Sequence, residues 1–177
     1  MRTTTEFFEP VKASPPDARW LDETIDCNAH TTLRLVRQDT RRIIGGILAE
    51  GLVEDATLMV SELTGNGLGA KDPEADFTAK VEFGVVEEPT ALNEGRIASP
   101  GNVVIKVSDT RDGMLPAKIN LHPSTEAKDG EHGDESVDHM GLPVVVALSD
   151  RRLGYVAPSG DFVKSVWTVL GPQNINN

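Results

Sequence analysis

The chain has 177 residues, enough for one domain that buries a sizeable core without covalent staples. Its 28 Asp and Glu against 17 Lys and Arg give a formal charge of -11, which argues against unaided binding to nucleic acid or to an anionic membrane. One cysteine, Cys27, excludes an internal disulfide, and no Cys/His spacing matches a zinc site, so a reducing, cytoplasmic setting is expected.

Residues 1–17 carry Pro10, Pro15 and Pro16 among polar residues and read as a flexible extension that covers the domain or swaps onto a neighbour. Arg19 to Ile25 reads as a short edge strand. Asn28 is a candidate helix N-cap, and Leu33, Val36, Thr40, Ile43 and Ile47 then recur at the spacing of a buried stripe, predicting a helix from Ala29 to Glu50. Arg34, Arg37 and Arg41, with Arg42 beside them, form a basic row on its other side. That row is either a solvated face or a docking surface for an acidic partner, where Arg supplies forked hydrogen bonds.

After a turn at Gly51–Glu54, a second helix is expected over Asp55–Ala70, with Ala56, Met59, Val60, Leu63 and Gly67 along one side. Glu62 and Asn66 lie one turn apart on the neighbouring side. There a carboxylate can orient a nucleophile or take its proton, and a carboxamide oxygen suits Mg²⁺ beside phosphates. The alternative is an ordinary amphipathic helix whose polar strip meets water.

Phe77 to Val86 alternates as a strand with one face on a core. Glu87 to Asn102 is a long connection, and Val103 to Ser108 a second strand, antiparallel to the first. It runs into Asp109-Thr110-Arg111-Asp112-Gly113, an acidic turn where scaffolds hold functional side chains. Leu115 to Val137 is polar and irregular, a lid or a disordered tract. His122, His132 and His139 lie in or just after it without metal-ligand spacing. Gly141 to Ser149 predicts a third helix with Pro143 in its first turn. Its apolar run ending at Leu148 is too short to span a bilayer. Arg152–Ala157 and Val163–Leu170 read as closing strands. The expected fold class is α+β: a two-layer α/β sandwich, a mostly antiparallel sheet covered on one face by about three helices.

Three segments together carry a family resemblance. Val60-Ser61-Glu62-Leu63-Thr64-Gly65-Asn66-Gly67, Val107-Ser108-Asp109-Thr110-Arg111-Asp112-Gly113, and Met140-Gly141-Leu142 with Ala147-Leu148-Ser149-Asp150 resemble, in order, the helical motif and the two glycine boxes of the GHKL (histidine kinase-like) ATPase superfamily. Lys164-Ser165-Val166-Trp167 resembles that family's final strand. Within the family, the chain looks most like small anti-sigma-factor serine kinases and their actinomycete regulator relatives.

The resemblance spans 18–171, leaves 172–177 as a tail, and implies the Bergerat ATP-binding fold. It implies ATP and Mg²⁺ as cofactors, with Asn66 holding the metal and Glu62 as base toward a serine hydroxyl. Asp109 would accept from the adenine amino group, and Gly113 matches the second glycine of its box. Gly141 and Leu142 would face phosphate, and Ser165 would reach adenine through water. The implied partners are a sigma factor, an anti-anti-sigma factor, or both, with a homodimer also expected, and the implied role is transcriptional control by partner switching. Arg111 and His139 stand where the pattern has glycine. They favour the alternative, a protein-binding regulator of the same fold with a degenerate nucleotide site.

Overall fold

The structure is a computed structural model that describes residues 6–65, 77–110, 118–121, 141–157 and 160–172. In chain order its elements are β1 (Phe7–Phe8), β2 (Val11–Lys12), β3 (Ala18–Trp20), β4 (Ile25–Asn28), α1 (Leu33–Ile44), α2 (Glu50–Gly65) and β5 (Thr78–Val86). There follow β6 (Thr90–Ala91), a single 3₁₀ turn (Asn93–Gly95), β7 (Ile97–Ala98), β8 (Val103–Asp109), β9 (Ile119–Asn120), α3 (Leu142–Leu148), β10 (Leu153–Val156) and β11 (Lys164–Leu170).

The main sheet runs β2, β10, β11, β8, β5, with β3 and β4 placed end to end along the outer flank of β5. All its pairings are antiparallel except that of β2 with β10. The register explains which residues are inside. Val81, Val107 and Val166 share one row, and Phe83, Ile105 and Thr168 the next, so the period of two sends both rows to one face. That face packs on Val36 and Ile44 of α1, Met59 and Val60 of α2, and Val145 and Val146 of α3. The other face is covered only in part. Val86, Val104, Trp167 and Val169 form a smaller cluster there with Ala98 of β7 and Ala13 and Ala18 of the N-terminal segment. The α+β two-layer architecture therefore matches the expectation. No helix among the described residues is long and apolar enough to cross a membrane.

Several boundaries differ from the sequence reading. The long first helix breaks at Gly45, and α2 begins at Glu50, so Leu52 and Val53 are helical rather than part of a turn. Thr32, not Asn28, caps α1, its hydroxyl accepting from the Leu35 N–H. Asn28 ends β4 instead, and its side chain accepts from the His30 N–H at 2.9 Å. Because α1 stops at Ile44, Ile47 falls outside the stripe and is exposed.

The single edge strand expected at Arg19–Ile25 is two short strands on β5. Part of the extension drawn as 1–17 is built into the domain. Phe8 is 4% exposed in the core, β2 adds a strand to the sheet, and the Trp167 indole N–H donates to the Ala13 carbonyl at 2.7 Å. The basic row is engaged with its own fold. Arg41 makes a forked pair with Glu54 of α2 at 2.9 Å per arm, Arg37 Nε donates to Ser61 Oγ at 2.9 Å, and Arg42 pairs with Glu23 and Asp39.

Candidate functional site

One end of the sandwich collects the chemistry. Arg37 meets Ser61 and Arg41 meets Glu54, so α1 and α2 are antiparallel and the start of α1 lies beside the end of α2. β4 ends at Asn28 opposite Thr78, and Thr78 exchanges hydrogen bonds with Thr110, one residue past the end of β8. Asp109, the last residue of β8, sits in one row with Ala79 and with Lys164, the first residue of β11. The start of α3 reaches the same end through Glu62. The space a Cβ would take at Gly141 is filled by the Glu62 carboxylate, with Glu62 Cβ itself 3.0 Å from that point. A side chain at position 141 would have to displace the Glu62 carboxylate from this position.

The packing of α2 fixes how Glu62 is presented. Thr57, Ser61 and Thr64 are buried on its core side, and each hydroxyl is satisfied by the carbonyl four residues back, at 2.7 to 2.8 Å. Ser61 Oγ also accepts from Arg37, which leaves the neighbouring Glu62 half-buried at the α2–α3 contact. α3 follows Gly141 with no side-chain cap, and since Pro143 has no N–H, the first-turn donors that the helix itself leaves unused are those of Leu142 and Val144.

Asp109 is 4% exposed and lies 3.7 Å from Lys164 Nζ, a buried acid beside a partly covered ammonium. Ser165 is one residue further along β11 and therefore on the opposite face, where its Oγ lies 2.7 Å from Ser108 Oγ. The structure thus brings Glu62, Gly141, Leu142 and Asp109 to one end of the helix-covered face and leaves Ser165 outside that group. Asn66 and Gly113 lie outside the described residues, as do Arg111, His122, His132 and His139.

Sequence reasoning missed two features. Lys164 shares the face and row of Asp109, a signal that needs strand register and not just a motif. Arg152, read only as the start of a strand, is a buried cation at the far end of the sheet.

The donor set fits a nucleotide in part. A buried acid at a strand end can accept from an amino group, and an uncapped helix start with a Cβ-free first residue can meet phosphate oxygens. Among the described residues no group of three or more His, Cys, Asp or Glu side chains could hold a metal ion. Neither a family model nor a curated protein matches the chain.

Proposed function

We propose that this end of the sandwich is an ATP site and that the chain is a GHKL-type regulatory protein resembling anti-sigma-factor serine/threonine kinases. The observation that carries the reading is the convergence of Glu62, Gly141, Leu142 and Asp109, from three separate stretches of chain, at one end of one face. ATP with Mg²⁺ would supply the phosphoryl group, and Asn66 is the residue the resemblance assigns to the metal. In this reading Asp109 accepts from the base, the N–H groups after Gly141 neutralise phosphate charge, and Glu62 orients or deprotonates a serine hydroxyl on a partner protein. A sigma factor or an anti-anti-sigma factor is the partner, and switching between such partners, as a monomer or a homodimer, would control transcription.

A second reading is favoured by two contacts. Lys164 lies beside Asp109, and the Glu62 carboxylate lies against Gly141, so both proposed polar groups already have neighbours within the fold. Together with Arg111 and His139, this supports a protein-binding regulator with little or no nucleotide affinity. Calorimetric titration with ATP and Mg²⁺ separates the two. Saturable heat that disappears in Asp109→Ala supports the site, and no heat from either protein leaves the protein-binding reading. If ATP binds, Glu62→Ala should keep that binding and lose transfer of labelled phosphate to a partner.

A further inference from the structure

The N-terminal arm, residues 6–13, reaches the two flanks of α3. On one side β1 pairs with β9, Phe7 opposite Asn120 and Phe8 opposite Ile119, and the Leu121 N–H donates to the Glu6 carbonyl at 3.0 Å. On the other side the Glu6 carboxylate pairs with Arg151, in the turn that follows α3, and β2 lies along β10 just beyond that turn. Phe8 and Val11 of the arm line one small cavity, about 20 Å³, together with Arg151 and Leu153. Phe8 enters the main core together with Ile119, Leu153 and Val145 of α3, whereas its neighbour Phe7 is 49% exposed.

α3 depends on what surrounds it. Its seven residues are too few to be helical alone. Its start is fixed by Glu62 against Gly141, and its end by the Asp150–Arg151 turn, in which both residues adopt positive φ, 50° and 60°. The Arg151 N–H returns to the Val146 carbonyl at 2.9 Å, so that turn is continuous with the helix. The arm itself is held lightly. Besides buried Phe8, the Glu6–Arg151 pair and the Trp167 bond to Ala13, it makes two-residue ladders on each side and an ion pair, Glu9 with Lys118 at 3.4 Å, whose two side chains are mostly in water. Segments with so few buried contacts open well below the free energy of global unfolding.

We propose that the arm is a detachable clasp on α3. Docked, it holds β9 and the Arg151 turn on either side of the helix and so keeps Gly141 against Glu62. Released, it takes β2 off the edge of the sheet and frees α3 to move while β10, β11, β8 and β5 stay paired. The consequence for ligand affinity rests on the nucleotide reading above, but the clasp itself does not. Through linkage, anything that binds the ordered α3 must also favour the docked arm, and a partner that captures the arm must weaken that binding by the same factor.

The test is hydrogen–deuterium exchange on the full-length chain, wild type against Phe8→Ala, Phe8→Leu and Glu6→Gln, followed peptide by peptide. Phe8→Ala should raise exchange in α3 and in 118–121 by about tenfold or more while β5 and β8 change little. Phe8→Leu should restore most of the protection, and Glu6→Gln should give the same pattern more weakly. Equal acceleration in every peptide, or no acceleration in α3, overturns the clasp. If Phe8→Ala does not fold, Glu6→Gln decides alone, and unchanged α3 exchange in it counts against the proposal. Titration of the same variants with ATP and Mg²⁺ then reads the coupling. Loss of affinity that follows α3 exchange supports it, while retained affinity despite a freed α3 removes the link to the site. Absence of ATP binding to the wild type would defeat the nucleotide reading and leave the exchange result to judge the clasp.

Discussion

Arg152→Met removes the most deeply placed charge in the described part of the fold, and its cost follows from the acceptors left behind. The side chain is 2% exposed, and its guanidinium donates to the carbonyls of Ser149 at 2.9 Å, Ile97 at 3.2 Å and Gly171, and to Asn102 Oδ1 at 2.7 Å. These acceptors come from the end of α3, from β7, from the residue before β8 and from the residue after β11. One cation therefore ties four elements at the sheet end opposite Asp109. Burial lowers its pKa, only partly offset by Asp150 and reinforced by Arg96.

A well-packed apolar replacement of a buried ion pair is often neutral, because both charges leave together. Among the described residues no carboxylate pairs with this guanidinium, and three of the acceptors are backbone carbonyls that no substitution removes. Ser149 keeps another donor in the Arg152 N–H and Asn102 one in the Ser99 N–H, so the four acceptors do not lose equally. Bonds to a charged donor contribute about 1.5 to 3 kcal/mol each, and an orphaned buried acceptor costs a similar amount, which places the expected loss at about 3 to 5 kcal/mol. Urea unfolding of wild type and variant should show a lower midpoint at unchanged slope. A loss below about 1 kcal/mol, or a gain, would refute the argument that carbonyl acceptors make this cation irreplaceable.

Gly141→Ala should destabilise by no more than about 1 kcal/mol, because the Glu62 carboxylate in its way is the movable end of a half-buried side chain. Glu62→Ala should relieve part of it, so a double-mutant cycle by urea unfolding should show a coupling of at least about 0.5 kcal/mol. Gly84→Ala places a Cβ 2.9 Å from Ala18 Cβ and 3.1 Å from the Trp20 ring, so β3 must shift outward and Trp20 fluorescence should move to the red. The Cys27 thiol is pushed up to about 11, first by burial and then by Asp26 and Asp39. Its folded pKa lies above the ordinary 9.0, so the protonated thiol stabilises the fold below pH 9 and that stability is lost as pH rises from 9.0 toward about 11. Cys27→Ala should flatten the fall in urea midpoint across that window, and native Cys27 should resist thiol reagents at pH 8.

How legible the fold was depended on where the information sits. β5, β8, α3 and the β10–β11 hairpin could be read because alternation, an apolar run and turn residues act locally. β1 and β2 could not, because a two-residue strand exists only through its partner, and nothing in Phe7–Phe8 or Val11–Lys12 announces β9 or β10. The cap of α1 was misplaced for a related reason. Asn28 and Thr32 have the same capping chemistry, and pairing of Ile25–Asn28 with β5 decides between them. The basic row illustrates the limit for function, since Arg37, Arg41 and Arg42 were visible as charges while their use inside the fold depends on Glu23, Glu54 and Ser61 lying elsewhere in the sequence. At the candidate site, helical spacing as well as motif marks Glu62, and an acidic strand-end turn as well as motif marks Asp109, while their arrival at one end follows from the antiparallel helices and sheet register.

The same register decides what surrounds Asp109. Strand side chains alternate, so a motif residue one position off changes face entirely. β11 pairs Lys164 with Asp109 and Ser165 with Ser108, and the pairing continues unbroken to Leu170 opposite Val103, which rules out a local slip. A one-residue slip of β11 that moved Ser165 to the face of Asp109 would turn Val166 and Leu170 out of the helix-side core and Trp167 and Val169 out of the opposite cluster. The apolar alternation of Val166 to Leu170 therefore fixes Lys164, rather than the hydroxyl after it, as the strand neighbour of Asp109. In the proposed ATP reading, an amino group that met Asp109 would share that acid with the Lys164 ammonium, 3.7 Å away.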